Sequence, residues 1–214
     1  MFSFFSFAFL SPAFAEPTTY QFDKGSDLYV TVYKNEKTLL SAAAHNHAIR
    51  AKDWTGTLQW EAENPSACNI AIKFNVSDLE VDSAYSRNLA ASKEPDAKIK
   101  KGFEKSISDS DREAVTKNML SEAQLNGDVH KTISFQSTAC TAESITGDFT
   151  LRGVKKSITM PATIKTAQEG PWKLLIKGSF NISSNDFGFE PYSDLGGAVA
   201  NKPDMRINVY LRGI

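Results

Sequence analysis

The chain is short of the residues that most often carry chemistry. It holds two cysteines and three histidines in 214 residues. It has no Gly-x-Ser-x-Gly nucleophile elbow, no Walker loop and no dinucleotide fingerprint. Its acidic residues scatter along loops and strand exteriors, so no carboxylate pair offers itself as general acid and base. A non-enzymatic role is therefore expected. The net charge is −1, and no basic block stands out beyond Lys98-Ile99-Lys100-Lys101. That removes the electrostatic footprint of a nucleic-acid binder. Beyond the amino terminus, no apolar run approaches the roughly 20 residues that cross a bilayer as a helix.

The one apolar run is Phe2 to Leu10, followed by Ala13-Phe14-Ala15, which fits a small-x-small cleavage rule. It reads as a secretory signal, residues 1–15, with a periplasmic mature domain over 16–214. No cysteine stands in the first residues after the cut, which argues against a lipid-anchored form. Cys68 and Cys140 are the only thiols, and an even count in an exported chain suggests a disulfide. Their phases disagree: Cys68 runs with Ile70 and Ile72, whereas Cys140 runs with Thr138 and Gln136 against Ile133 and Phe135. Regular strands would put them on opposite faces. Both lie near strand ends, where alternation fails, so a bridge remains the expectation.

Period-two alternation recurs from end to end. Leu28–Tyr33, Thr57–Ala62, Ile70–Val76, Ile133–Ala139, Trp172–Ile182 and Ile207–Leu211 each carry one apolar face. Phe149 and Leu151 lead into a turn at Gly153, and Ile158, Met160, Ala162 and Ile164 lead away from it. Such strands form an antiparallel sheet that is wet outside and apolar inside. Rolled up, it encloses either a packed core or an apolar ligand. Only one segment reads as a helix: Ser110-Asp111-Arg112-Glu113 is a capping box, Val115, Met119 and Leu120 follow at helical spacing, and Asn126-Gly127 is the stop. Residues 84–109 are polar and poorly periodic. The stretch 84–130 thus reads as one long excursion between strands, either a lid over a barrel end or a solvated insertion.

The order of motifs resembles the YceI family of exported proteins. The matching pieces are the hairpin Gly147-Asp148-Phe149-Thr150-Leu151-Arg152-Gly153-Val154-Lys155-Lys156-Ser157-Ile158-Thr159-Met160, the strand Ile133–Thr138 and the strand end Leu79-Glu80-Val81-Asp82. Asn185-Asp186-Phe187-Gly188-Phe189 and Met205–Val209 also match. The long polar excursion and the clustered histidines depart from the common pattern. The resemblance implies an all-β, lipocalin-like antiparallel β-barrel of about eight strands with one short α-helix in the excursion. It also implies binding of polyisoprenoids or other long-chain amphiphiles.

The inward phase proposes the ligand-binding residues: Phe74, Phe135, Phe149, Leu151, Met160, Trp172, Leu174, Ile176 and Phe180. Small inward residues, Ser137, Ala139 and Gly178, are compatible with leaving room. Residue pattern alone allows a filled or an open barrel, and the resemblance favours the cavity. His45 and His47 share a strand face and could reach one ion, with His130 as a third ligand, but no acidic residue is locally placed to complete a site. Backbone hydrogen bonding at a barrel rim is the plainer role. The expectation is a carrier for an isoprenoid or fatty-acyl lipid, with no other cofactor. A metal site on these histidines and a solid-cored stress protein are the rivals. Transient membrane contact and a homodimer are left open.

Overall fold

A computed structural model describes residues 16–214; the expected leader lies outside the described residues. The described residues form twelve strand segments in one antiparallel sheet. Several of these are halves of longer ribbons. β1 (Thr18–Tyr20) and β2 (Asp27–Lys34) form the first ribbon, β3 (His47–Ala51) and β4 (Thr55–Trp60) the second, and β5 (Asn69–Asn75) and β6 (Leu79–Val81) the third. β7 (Thr132–Cys140), β8 (Ser144–Leu151), β9 (Val154–Thr166), β10 (Leu174–Ser183) and β12 (Val199–Gly213) complete the set, with the two-residue β11 (Ser193–Asp194) beside β12. Each ribbon pairs with the next, and β12 returns to β2. The ring closes at the far end through Gln21 and Asp23, whose amides donate to Ile214 O and Arg212 O. Eight ribbons therefore make one barrel, as expected, although three of them are broken.

Local residues shape the ribbons. Gly56 sits where a Cβ would lie 1.9 Å from Ala71 O, so only glycine lets β4 approach β5 there. β8 and β9 are joined by Arg152 and Gly153, both at positive φ (51° and 73°), which is the backbone of a two-residue hairpin turn. Pro161 lies in β9 at the point where the strand leaves β8 for β10, so its missing N–H costs little ladder.

A bulge in β7 settles the cysteine question. The β7–β8 register shifts between Ser137 and Ala139, which reverses the side-chain phase beyond it. Cys140 turns inward and bonds to Cys68, their Cα atoms 6.2 Å apart. The Ile70 N–H donates to Ser137 Oγ beside the bulge. The same shift exposes Ala139, which strict alternation placed inside. Gly178 also leaves no room, because Met160 packs on it and an added Cβ would meet its sulfur at 2.7 Å.

The excursion is three helices, not one: α1 (Ala84–Lys93), α2 (Ala97–Glu104) and α3 (Asp109–Leu120). Each starts on a side chain that accepts backbone N–H groups: Ser83, Asp96 and Ser108. The third cap lies two residues before the box read from the sequence, and the helix stops at Leu120 rather than running on to Asn126. α1 and α2 pack outside the barrel, where Ala90, Ala91 and Phe103 cover Tyr29 and Ala48. α3 crosses the open end, with Val115 and Met119 against Val32, Ile49 and Val81.

The disulfide closes a loop of 72 residues. Changing both cysteines to serine should cost about 4 kcal/mol by loop-closure entropy. Urea unfolding of the double variant would show it as a lower midpoint, and an unchanged midpoint would mean the bulge and core hold that end unaided.

Candidate functional site

The lumen is solid at one end and hollow at the other. At the disulfide end Leu58, Trp60, Ile70, Ile145, Leu174, Ile176 and Leu211 form a fully buried plug. Above it opens a cavity of about 500 Å3, within the size range of small-molecule sites. Inward residues of every long strand wall it: Phe74, Phe135, Phe149, Ile158, Phe180 and Ile207 among them. Phe149 is wedged edge-on between Phe180 and Phe187, at centroid distances of 5.7 Å each. The roof is α3, which presents Ala114, Val115 and Met119. Polar groups gather at the mouth: His45, Asp111, Asn118, Tyr192, Asp194 and Lys202.

Of the nine residues proposed from strand phase, Phe74, Phe135, Phe149, Leu151, Met160, Ile176 and Phe180 line this cavity. Leu174 is completely buried in the plug beneath it. Trp172 does not reach it: β10 begins at Leu174, and Trp172 sits in the turn before the strand. Period two extended two residues too far there. The walls from β2, β3 and β12, and the whole roof, were not singled out from the sequence.

The histidines separate. His45 and His47 both line the cavity, their ring centroids 6.5 Å apart. His130 lies instead against the Gly153 turn. Among the described residues no group of three His, Cys, Asp or Glu is arranged to hold a metal ion. His47 has a different partner. Its Nδ1–H donates to Asp82 Oδ2 at 2.6 Å, and the Asp82 carboxylate is fully buried. Asp82 Oδ1 accepts from Ala48 N and from Arg87 Nη1. With Nδ1 engaged, Nε2 is the His47 nitrogen left for a cavity ligand.

Arg87 is spent inside the protein. It donates to the carbonyls of Asn46, Gly102 and Lys105 as well as to Asp82. Burial alone would push the Asp82 carboxyl up, but the His47 hydrogen bond and charge, the Ala48 amide and Arg87 together hold it below the usual carboxylate value. His45 is pushed down, first by burial and then by His47 and Arg87, against the pull of Asp111. Tyr192 is pushed up by burial and by Asp194, with the nearby Asn118 amide on α3 opposing the rise. The mouth is thus polar and weakly acidic, with Lys202 paired to Glu36.

A family model of the YceI-like domain matches residues 29–211. The chain belongs to that family. Its relatives include a UPF0312 protein of Pseudomonas fluorescens (strain SBW25), 25% identical over 142 residues. That match covers 65% of this chain and 62% of the relative, so it spans less than two thirds of the relative's length. A UPF0312 protein of Shewanella sp. (strain ANA-3) is 27% identical, over 77% of this chain and 73% of its own. Burkholderia cenocepacia BcnA shares the fold with a TM-score of 0.56 at 11% identity, covering 86% of this chain and 94% of that one. A Campylobacter jejuni YCEI protein does so with 0.51 at 13% identity, over 78% and 84%. Within this YceI-like fold, the long helical excursion supplies the roof and the outer buttress.

Asp82→Asn should destabilise the fold by about 3 kcal/mol at neutral pH, since it strips the counter-charge from buried Arg87. The sign with pH follows from the depressed carboxyl. The stability Asp82 adds is present above the ordinary carboxylate value and lost as pH falls through the folded-state value. Denaturant titrations should therefore show the gap between parent and variant closing below about pH 4.

Proposed function

We propose that this YceI-like protein is a periplasmic carrier that sequesters one long apolar chain in its barrel, a polyisoprenoid or a fatty-acyl amphiphile, without catalysing a reaction. The observation that carries this reading is the cavity of about 500 Å3 walled by aliphatic and aromatic side chains from all around the ring. Transfer of a chain from water to such a lumen gains about 0.8 kcal/mol per methylene, enough for tight retention without a charged anchor. The head group lies at the polar mouth. There His45, Tyr192 and Asn118 offer hydrogen bonds, with His47 Nε2 deeper in the cavity, and Asp111 and Asp194 outnumber Lys202 and disfavour an anion. The family resemblance supports the same ligand class, and the apolar run of residues 2–10 supports export.

The test is mass spectrometry of an organic extract from protein exported natively. One prenyl or acyl species per chain is the expected result. An empty extract would favour the solid-barrel alternative, and an empty extract with bound zinc or copper would favour the histidines. Ile207→Trp supplies a second arm, because Ile207 lines the cavity and is only half-buried. In a carrier the indole fills space meant for ligand, so at least about tenfold of lipid retention is lost while the unfolding midpoint holds. In a filled barrel the same change overpacks and lowers the midpoint.

A further inference from the structure

Two loops flank the mouth, and both display apolar side chains that nothing in the fold uses. Leu39 and Leu40, on the turn between β2 and β3, are 88% and 43% exposed, and Leu195, after β11, is 65% exposed. The loops are one surface. Leu40 N donates to Ala198 O, Asn35 N to Ala200 O, and Asn201 N to Tyr192 O. Ala43 and His45 of the first loop and Asp194 of the second line the cavity. The leucines thus stand beside the polar rim of the cavity.

The other side of the first loop is basic. Lys98, Lys101 and Lys105 recur at helical spacing on and just beyond α2, all exposed. They share a groove with Lys34 and Lys202, against a single carboxylate, Glu36. Glu36 pairs with Lys98 and Lys202, leaving Lys101 and Lys105 without an ion-pair partner among the described residues. The chain as a whole carries a net charge of −1, so this is a local concentration of cations and not a general property.

We propose that the mouth docks on a membrane surface bearing anionic lipid: Leu39, Leu40 and Leu195 enter the boundary between head groups and acyl chains while the α2 lysines contact the phosphates. Isolated leucines at loop tips beside lysines suit a soft, negatively charged interface, where apolar area and charge attraction add. A stable protein interface asks instead for a broad, shape-matched patch of about 800 Å2 on each side. Docking here sets the lumen opening against the bilayer, so an apolar chain passes between them with little exposure to water. The proposal rests on the carrier reading for its purpose alone, since the surface acts whether or not the barrel is loaded.

The test is co-sedimentation of the exported protein with phosphatidylcholine vesicles, with and without roughly one third phosphatidylglycerol, in low and high salt. Intact mass should confirm the same amino terminus in parent and variants. The parent should bind the anionic vesicles, and bind them less in high salt. Leu39→Ser/Leu40→Ser/Leu195→Ser and Lys98→Glu/Lys101→Glu/Lys105→Glu should each weaken binding by about tenfold or more with unchanged unfolding midpoints. Leu39→Trp keeps the test open should the triple variants misfold, and its emission should shift to the blue on the same vesicles. Absence of parent binding, or variants that bind as well as the parent, overturns the proposal. So does a parent dimer that the leucine variant abolishes, which would assign the tips to a second copy. Vesicle binding is read separately from extracted lipid: an empty barrel that still docks spares this inference, and a loaded protein that ignores vesicles refutes it alone.

Discussion

Everything at the open end of the barrel hangs on one buried carboxylate. Asp82 ends β6 at a positive φ of 50°, a conformation that aspartate tolerates better than most residues. From there it binds the ring of His47 inside the barrel, the amide of Ala48 in the wall and the guanidinium of Arg87 outside it. Burying two charges is costly unless the geometry is good and the remaining donors are satisfied. Here three backbone carbonyls take up three of the four remaining N–H donors of Arg87, two of them at the end of α2, where a cation is also favoured by the helix dipole. Gly102 lets this happen, since a Cβ there would collide with the Asn46 side chain. One ion pair thereby fixes β3, β6, α1 and α2 together.

That arrangement separates stability from capacity. The plug, the disulfide and the outer helices give the fold buried area, and none of them encroaches on the hollow half. A barrel of eight ribbons can be filled by its own side chains. This one keeps a cavity beside its packed clusters, and Phe149 meets Phe180 and Phe187 edge to face at its wall.

Much of this was legible from alternation. The ring of strands, the Gly153 hairpin and seven of the nine lumen residues follow from period two and turn chemistry. What alternation missed, it missed for identifiable reasons. The β7 bulge reverses phase without a glycine or proline to announce it, so Ala139 was placed inside and Cys140 outside. α1 buries Ala90 and Ala91 beside Ser86 and Arg87, a face too polar to stand out, and α2 is a two-turn helix whose apolar pair, Ile99 and Phe103, sits among lysines. In the Asp82–Arg87–His47 cluster Arg87 is five positions from Asp82, but His47 is 35 away, and only the closed fold brings it there. Asp82 did fall within a motif that marked the family, yet nothing in its neighbours disclosed its partners.

α3 buries no side chain of its own, and yet it roofs the cavity. An element held by half-buried contacts opens at a free energy well below that of global unfolding. For the proposed carrier, the rate at which a chain enters or leaves would then follow from this helix, and the strength with which it is held from the barrel walls. Val115 and Met119 both pack on the wall and line the cavity, so a substitution at either would change the hold on the roof and the lining together.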